Sequence, residues 1–321
     1  MIAVLSGGVG AARLLAGLQQ VVDPRTLTAV VNVGDDTTLH GLAISPDLDT
    51  ITYTLAGAID PERGWGLSGE TWRVMVSLER FAAVRPPGSR AGGTWFGLGD
   101  QDLATHLYRT HRLAEGGSLT EVTAEITAAY GVAVRLLPVT DDPLHTMLTV
   151  AGEGEIEFQE YFVGRRHGIP ISGVRFHGAE TARLTDAAAA ALDASDAIVI
   201  APSNPIVSIG PLLAVPGVRE RIQRARARTV AVFPIVGGRA LKGPADRMLA
   251  ELGHPVSVVG VAALYRDLAA TMVVDEADRA LAPEVEAEGV RCVVTDTVMR
   301  TPAVAAALGA TVLGAVGRGP T

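Results

Sequence analysis

The chain has 321 residues, of which 48% are hydrophobic and 19% charged, which is enough to bury a large core in one or two domains. The 35 acidic residues outnumber the 27 basic ones and give a net charge of −8, which argues against a coat for nucleic acid. The single cysteine, Cys292, excludes an intrachain disulfide framework. No basic leader and no long uninterrupted apolar run is present. We therefore expect a cytoplasmic protein that binds neither nucleic acid nor membrane.

The first elements in chain order predict a βαβ unit. Residues 2–5 form a continuous apolar run, which is typical of a strand buried on both faces. A helical pattern with an apolar stripe of Leu14, Leu15 and Leu18 follows, and residues 27–33 form a second buried strand. Two buried strands joined by a helix indicate a parallel sheet.

The pattern changes between residues 60 and 168. Segments 100–114 and 118–130 are predicted helices, and Ser118 and Glu121 have the spacing of a capping box. Residues 85–94 predict a flexible loop, and residues 147–150 and 156–162 predict a hairpin around Gly152 and Gly154. We interpret 60–168 as a largely helical insert.

Alternation of helices and strands returns after residue 172. Helices are expected at 185–194, 218–225 and 245–252, and strands at 197–201, 229–233, 256–259, 272–274 and 291–294. Residues 302–317 predict a packed helix and strand. The fold class is therefore α/β, with a doubly wound, mostly parallel Rossmann-like sheet formed by 1–59 and 169–321, on either side of the insert.

A glycine-rich segment, Ser6-Gly7-Gly8-Val9-Gly10-Ala11, lies between the first strand and the first helix. Glycines let the backbone approach a phosphate, and a helix N-terminus supplies free N–H groups. Arg13 stands where the dinucleotide fingerprint has its third glycine, and no P-loop lysine follows, since the sole lysine is Lys242. A tight turn without a ligand is the alternative.

Four acids, Asp35, Asp36, Asp47 and Asp49, follow within fifteen residues of one another. Asp35 and Asp36 come directly after the second strand, at the edge where open α/β sheets bind ligands. Ser45 is the expected N-cap of a helix that holds Asp47 and Asp49, so these two acids could simply complement the helix dipole. Such a group of carboxylates also suits Mg²⁺, which favours oxygen ligands and substrate phosphates.

The segment Pro202-Ser203-Asn204-Pro205 begins where another buried strand ends. Its short polar side chains suit a nucleobase or a phosphate, and an Asx turn that closes the connection is an equal alternative.

Asp102, His106 and Arg109 share one face of a predicted helix, which we expect to be an exposed polar face. Trp65, Trp72, Trp95 and Phe96 could wall a flat ligand or form the core of the insert.

Six motifs in this order resemble the CofD/FbiA family of coenzyme F-420 biosynthesis, and the match runs from about residue 1 to 300. Trp65-Gly66 with Glu70-Thr71-Trp72 resembles its actinobacterial branch in particular. The motifs are Ser6-Gly7-Gly8-Val9-Gly10, Asn32-Val33-Gly34-Asp35-Asp36, Pro46-Asp47-Leu48-Asp49-Thr50, Gly97-Leu98-Gly99-Asp100, Thr140-Asp141-Asp142-Pro143, and Pro202-Ser203-Asn204-Pro205 with Ser208-Ile209-Gly210-Pro211.

The resemblance implies a Mg²⁺-dependent transferase, typically a homodimer. Its donor would be guanosine diphosphate esterified to lactate, enolpyruvate or a related three-carbon acid. Its acceptor would be the ribityl hydroxyl of the deazaflavin Fo (7,8-didemethyl-8-hydroxy-5-deazariboflavin). The products would be a (dehydro) F-420-0 and GMP.

The resemblance also assigns roles to residues. Asp49 is the first candidate for catalysis, followed by Asp36 and Asp47, and the expected metal ligands are Asp49 and Asp36. The donor would lie on Gly7, Gly8, Val9, Gly10 and Ala11, with its guanosine near Ser203, Asn204 and Pro205. Fo would lie near Asp49, Thr50, Trp65, Phe96, Gly99 and Asp100.

One departure concerns Phe96, which stands where some members of the family carry a basic residue that is associated with the acceptor. Arg90, in the preceding loop, could replace it.

Two other functions compete with the transferase. One is a non-enzymatic UDP-sugar-binding regulatory protein similar to the YvcK group, which shares the glycine-rich start but lacks the Pro-Asp-Leu-Asp-Thr and Gly-Leu-Gly-Asp segments. The other is a nicotinamide-dependent dehydrogenase, which the missing third glycine disfavours.

Overall fold

A computed structural model describes residues 1–89, 91–241 and 243–317. Its central sheet has seven parallel strands in the order β14-β13-β10-β9-β1-β2-β5, and the three strands β1, β2 and β9 are buried on both faces. The strands of this sheet are β1 (Ile2–Ser6), β2 (Leu27–Val31), β5 (Arg135–Pro138), β9 (Ala197–Ile200), β10 (Thr229–Val232), β13 (Thr271–Asp275) and β14 (Arg291–Thr295).

The sheet is doubly wound, as the sequence predicts. From β1 the chain runs outward through β2 to β5, then returns to β9 on the other side of β1 and runs outward again. The winding therefore reverses between β1 and β9, and α/β sheets bind ligands beyond the carboxyl ends of the strands at such a point.

Three small antiparallel sheets lie outside the central one. They are formed by β3 (Thr37–Leu39) with β4 (Leu42–Ile44), by β6 (His145–Val150) with β7 (Gly154–Glu157) and β8 (Ile171–His177), and by β11 (Ile235–Val236) with β12 (Arg239–Ala240).

Helices cover both faces of the central sheet. Among the residues described, no helix is both long enough and apolar enough to span a bilayer. The helices are α1 (Gly8–Leu18), α2 (Pro46–Leu55), α3 (Arg73–Glu79), α4 (Asp102–Ala114), α5 (Leu119–Ala129), α6 (Asp186–Ala194), α7 (Gly210–Ala214), α8 (Val218–Arg224), α9 (Ala245–Glu251), α10 (Val258–Tyr265), α11 (Ala282–Ala287) and α12 (Pro302–Ala315).

Most predicted elements are confirmed, including the capping box of Ser118 and Glu121 at the start of α5. Three predictions were wrong. The strand expected at 156–162 ends at Glu157, and Glu160–Gly164 forms a short π-helical turn in which Tyr161 is buried. The expected strand at 256–259 is the start of α10, where the Ser257 hydroxyl accepts a hydrogen bond from the Gly260 N–H at 3.1 Å. The expected helix and strand at 302–317 form one helix, α12, because an alanine-rich segment favours a continuous helix after its Thr301 N-cap.

The elements do not follow the predicted boundaries of the insert. β5 lies within 60–168 but pairs with β2 as an outer strand of the central sheet. β8 lies after residue 168 but pairs with β6 outside that sheet. The division of the chain into donor and acceptor parts stays a prediction.

Helices α1 and α12 approach each other closely at Gly17. A Cβ added to Gly17 would lie 2.2 Å from the carbonyl oxygen of Ala305, and one added to Gly309 would lie 3.3 Å from the backbone nitrogen of Leu18. The contact therefore brings two helix backbones together and leaves no room for a side chain between them.

We predict that Gly17→Ala lowers the free energy of unfolding by about 1–3 kcal/mol, because the added methyl group forces the two helices apart. Gly314→Ala, in the same helix pair, is the control. A Cβ at Gly314 meets no heavy atom within 4 Å, so we expect a gain of about 0.5–1 kcal/mol there. Chemical denaturation measures the free energy of unfolding of both variants. Equal midpoints for Gly17→Ala and the unchanged protein would contradict the packing described.

Candidate active site

The predicted site residues meet at the carboxyl edge of the sheet, around β1, β2 and β9. The segment from Gly7 follows β1, Asp35 and Asp36 follow β2, and Ser203 follows β9. The N-termini of α1 and α2 point to the same place, since the Gly8 N–H at the start of α1 donates to Asp47 in the first turn of α2. Residues far apart in the sequence therefore form one group.

The glycine-rich segment is the first turn of α1 and not a loop before it, because α1 begins at Gly8. A Cβ at Gly10 would lie 2.1 Å from the Pro202 carbonyl oxygen, and one at Gly7 would lie 2.8 Å from Ser208 Cβ and 2.9 Å from an Asp47 oxygen. Packing against neighbouring segments thus requires these two glycines even without a ligand. Gly8 has a positive φ of 68°, which favours glycine for conformational reasons.

Asp47 joins three segments of the site. Its Oδ1 accepts from the Gly8 N–H at 2.8 Å, and its Oδ2 accepts from Asn32 Nδ2 at 2.9 Å. Asn32 in turn accepts from the Gly34 N–H at 2.8 Å. Burial raises the pKa of Asp47 to about 6, although both hydrogen bonds act to lower it. With its two oxygens held in this way, Asp47 fixes α1 and α2 relative to the end of β2.

Asp35 and Asp36 each leave one buried carboxylate oxygen, Oδ1, without a hydrogen-bond partner among the residues described. Burial raises the pKa of Asp35 well above its usual value, and the neighbouring charges of Asp47 and Asp36 raise it further. Burial also raises the pKa of Asp36, whose other oxygen accepts from the Ser45 hydroxyl at 2.7 Å. Ser45 is at the N-cap position as predicted, but its hydroxyl binds Asp36 and does not cap the helix.

Asp49 is paired with Arg109 of α4. The guanidinium donates to both carboxylate oxygens of Asp49, and the Nη1–Oδ2 distance is 3.1 Å. Both side chains are buried, with 7% of the Asp49 side chain and 2% of the Arg109 side chain exposed. Asp49 therefore already faces a positive charge, unlike Asp35 with its unpartnered oxygen. Its predicted role as a metal ligand stays a prediction.

The expectation of an exposed polar face on α4 was wrong, because Asp102, His106 and Arg109 are all buried. His106 lies between the two acids: Nδ1 is 3.7 Å from Asp49 Oδ2, and Nε2 is 3.3 Å from Asp102 Oδ2. The Tyr53 hydroxyl of α2 donates to Asp102 Oδ1 at 2.6 Å. The polar face of α4 is thus turned inward against α2. Its acidic partner there, Asp49, could not be predicted from the local sequence of α4.

The segment after β9 is held by hydrogen bonds to the segment after β1 and to its own backbone. The Ser203 hydroxyl donates to the Gly7 carbonyl oxygen at 2.7 Å, and Asn204 Oδ1 accepts from the Ile206 N–H at 2.9 Å. Asn204 therefore forms the Asx turn that was the alternative to ligand binding, and Pro205 opens the short π-helical turn Pro205–Ile209 that follows. Any contact of Ser203, Asn204 or Pro205 with guanosine stays a prediction.

The residues assigned to the acceptor are distributed over two regions. Thr50 is partly buried beside Asp49, whereas Trp65, Phe96, Gly99 and Asp100 lie in the segments before α3 and α4. Asp100 accepts hydrogen bonds from the Thr71 hydroxyl and from the N–H groups at the start of α3. That hydroxyl and those N–H groups hold the pKa of Asp100 below its usual value.

Glu70 binds the start of α4 in the same way that Asp100 binds the start of α3. Its carboxylate accepts from the N–H groups of Gln101 and Asp102, each at 2.8 Å. A Cβ at Gly99 would lie 2.1 Å from the Glu70 carboxyl carbon, so a side chain there would displace the Glu70 carboxylate from the start of α4. The Gly-Leu-Gly-Asp motif therefore has a structural role, and its predicted contact with Fo remains a prediction.

The four aromatic residues predicted to wall a flat ligand form two pairs. Trp65 and Trp72 have ring centroids 5.9 Å apart, and Trp95 and Phe96 have theirs 5.8 Å apart. The Arg63 guanidinium lies over both rings of the first pair. Trp65 is 43% exposed and Trp95 is 42% exposed, so both rings offer a face to a ligand. Arg90 and Lys242 lie outside the described residues.

The acids at this edge suit a divalent cation with oxygen ligands. When Asp35 and Asp36 are ionised, their buried oxygens without hydrogen-bond partners are costly, so a cation bound there would stabilise the ionised forms. Sequence reasoning assigned no role to three polar residues: Asn32, which binds Asp47, Thr146, which lies beside Asp35, and Tyr53, which binds Asp102. Only Asn32 carried a signal, since it belongs to the Asn32-Val33-Gly34-Asp35-Asp36 motif.

Comparison with known proteins assigns the family. The sequence model of the family described as "2-phospho-L-lactate transferase CofD" matches residues 2–312. The chain belongs to the CofD family.

Relatives with curated names agree with this assignment. A phosphoenolpyruvate transferase of Streptomyces griseus is 42% identical over 295 residues, covering 91% of this chain and 90% of that protein. A phosphoenolpyruvate transferase of Mycobacterium avium is 42% identical over 298 residues, covering 85% of this chain and 86% of that protein. These matches confirm the family that the motifs indicate.

The fold also has a solved counterpart. A crystal structure of a UPF0052 family member from Bacillus halodurans superposes with a TM-score of 0.64 and 16% identity, covering 97% of this chain and 98% of that one. At this identity the likeness supports the fold alone.

We predict that Mg²⁺ raises the thermal unfolding temperature more at pH 7.5 than at pH 5. The raised pKa values of Asp35, Asp36 and Asp47 mean that the folded protein favours their protonated forms. Without a cation, stability from these groups is present at low pH and is lost as the pH rises through about 6, the pKa of Asp47. At pH 5 a cation must displace those protons, so it stabilises less.

Scanning calorimetry of the protein with and without MgCl₂ measures this shift. Asp36→Asn should abolish most of the effect at pH 7.5, whereas Glu180→Gln, at an exposed carboxylate outside the site, should leave it unchanged. An equal effect of Mg²⁺ at both pH values would contradict the predicted role of these acids.

Proposed function

We propose that the protein transfers a phospho-lactyl or phosphoenolpyruvyl group from a GDP-linked three-carbon acid to the ribityl hydroxyl of Fo, in a Mg²⁺-dependent step of coenzyme F-420 biosynthesis. The family assignment and the names of its relatives support this reaction. They favour it over the UDP-sugar-binding regulatory protein and over a dehydrogenase. A cytoplasmic homodimer is part of the same proposal.

The observation that carries the proposal is the buried carboxylate group beside two helix N-termini. The first N–H groups of a helix have no acceptor within it, so Val9 and Gly10 in the first turn of α1 can donate to a diphosphate. The Gly8 N–H is already bound to Asp47. The same junction therefore offers donors for phosphate oxygens and acids for the cation that accompanies them.

Asp35 and Asp36 would hold Mg²⁺ through their unpartnered oxygens, whereas Asp49, a metal ligand by the resemblance, is paired with Arg109 and would act on the acceptor. Bound there, Mg²⁺ would supply positive charge that offsets the charge of the diphosphate and the charge that develops during transfer. Asp47 keeps α1 and α2 in place through its two hydrogen bonds, so the N–H donors and the acids stay aligned.

The chemical step would be direct attack. The ribityl hydroxyl oxygen forms a bond to the phosphorus that carries the three-carbon acid and loses its proton to the solvent, and the bond from this phosphorus to the oxygen of GMP breaks, so that GMP leaves with the electron pair. No Ser–His or Cys–His pair stands at the site to form a covalent intermediate, as far as the described residues show. Positioning and electrostatic stabilisation would therefore supply most of the rate. The exposed rings of Trp65 and Trp95 could contact the flat deazaflavin.

We predict that the protein with Fo, Mg²⁺ and a freshly made GDP-linked donor releases GMP, detected by chromatography. Asp49→Asn should lower turnover at least about a hundredfold, because Asp49 is placed at the acceptor. Asparagine is preferable to alanine, because its amide oxygen can still accept a hydrogen bond from the buried Arg109 guanidinium and its volume leaves no cavity.

Lactyl, enolpyruvyl and glyceryl donors should be tested in parallel. Asp23→Asn, remote from the site at a surface turn, is the matched control and should keep full turnover. GMP release by Asp49→Asn at the rate of the unchanged protein would remove Asp49 from the reaction. No GMP release with any donor, together with tight binding of a UDP-sugar, would favour the regulatory alternative.

A further inference from the structure

We propose that Arg109 is a positioning residue that holds Asp49 in its working orientation, and that the buried face of α4 links this pair to the aromatic segment around Trp72. The inference rests on the proposed function, because it assigns Arg109 a part in the same transfer reaction. It adds a residue of α4 to a site that the motifs place at the sheet edge alone.

The geometry of Arg109 supports a role in orientation. Its guanidinium donates to both oxygens of Asp49, so the plane of the carboxylate is fixed as well as its position. Nη1 also lies 3.4 Å from the Ala43 carbonyl oxygen of β4, and the Ala43 N–H donates to Thr110 of α4 at 2.8 Å. Arg109 and Thr110 therefore hold α2, α4 and the β3–β4 hairpin together.

A series of buried polar contacts connects Arg109 of α4 to Tyr53 of α2. Arg109 Nη1 is 3.3 Å from His106 Nδ1, and the other side of the His106 ring faces Asp102. Asp102 accepts from the Tyr53 hydroxyl, which also lies 2.8 Å from Thr105 Oγ1. Each of these polar groups is buried, so removal of the Tyr53 hydroxyl can affect Asp49 through Asp102 and the residues on α4. Tyr53 also lies four residues after Asp49 on α2, and phenylalanine at this position leaves that helix in place.

The start of α4 is attached to the aromatic segment. The Glu70 carboxylate accepts from the backbone N–H of Asp102, and Asp100 accepts from the Thr71 hydroxyl. Trp72 follows directly and packs against Trp65. A ligand that rests on these rings therefore contacts the segment that fixes the first turn of α4.

A metal ion is the other candidate for this cluster, since ligand atoms of Asp49, Asp102 and His106 lie within 4.8 Å of one another. The Arg109 guanidinium already places a positive charge 3.1 Å from Asp49 Oδ2. A cation bound there would be repelled by it. The geometry therefore assigns the positive partner of Asp49 to Arg109.

The test compares Arg109→Lys with Arg112→Lys, an arginine on the same helix that binds Glu115 and Glu125 at the surface. Lysine keeps the charge but cannot hold a carboxylate with two parallel hydrogen bonds. We expect Arg109→Lys to lower kcat at least about tenfold with KM for the donor changed less than about threefold, since misplacement of a reacting group lowers the rate of the chemical step. Arg112→Lys should match the unchanged protein.

A second pair of variants keeps the test decisive if Arg109→Lys does not fold. Tyr53→Phe removes only the hydroxyl that binds Asp102, and Tyr108→Phe removes an exposed hydroxyl that binds Glu125. We expect Tyr53→Phe to lower kcat about threefold or more at unchanged KM, and Tyr108→Phe to have no effect. Thermal unfolding of each variant separates loss of fold from loss of positioning.

The outcomes distinguish the inference from the proposed function. If the unchanged protein releases no GMP from any donor, the proposed function fails and the inference fails with it. If the unchanged protein is active, folded Arg109→Lys or Tyr53→Phe with full kcat contradicts the inference alone. Loss of kcat in the Arg112→Lys and Tyr108→Phe controls to the same degree would also contradict it.

Discussion

The hydrogen bonds of Asp47 determine the geometry of the whole site. This one carboxylate accepts from the first N–H of α1 and from the side chain of Asn32 after β2, so it adds polar contacts at the site to the packing that already joins these three elements. The N-terminus of a helix can contribute to a phosphate site only if the other residues of the site keep fixed positions relative to it. The burial that raises the pKa of Asp47 also keeps water away from these bonds and strengthens them.

The acids around Asp47 divide into two kinds. Asp49 is hydrogen-bonded to Arg109 through both oxygens, whereas Asp35 and Asp36 each keep a buried oxygen with no hydrogen-bond partner among the described residues, and Asp36 only feels the Arg109 charge. Ionising a buried carboxylate without a partner is unfavourable, so the protein holds these two acids at a cost in stability that a bound cation would offset. Such local cost is typical of binding sites, where the arrangement serves the ligand more than the fold.

The sequence predicted the fold well because its strongest signals are local. Buried strands such as β1 and β2 are continuous apolar runs, and the acids and glycines that follow them are adjacent in sequence to the strand ends. Parallel topology then places all carboxyl ends at one edge. The strand predicted at 256–259 failed because a short apolar run fits a helix as well as a strand, and the Ser257 cap decides between them.

The part of the site that the sequence could not predict depends on long-range contacts. The polar face of α4 has the same spacing whether it is exposed or buried, and its partner Asp49 lies 60 residues away along the chain. The Glu70 contact with the start of α4 likewise spans about thirty residues, so the structural role of the segment around Gly99 and Asp100 could not be predicted from the sequence.

The most direct test of the central claim is a crystal structure of the protein with GDP, Mg²⁺ and Fo. The account predicts the diphosphate at the N-terminus of α1, Mg²⁺ on the oxygens of Asp35 and Asp36, and the Fo hydroxyl beside Asp49, with Arg109 still paired to it. A diphosphate bound away from α1, or Mg²⁺ held by Asp49, Asp102 and His106 with Arg109 displaced, would contradict it.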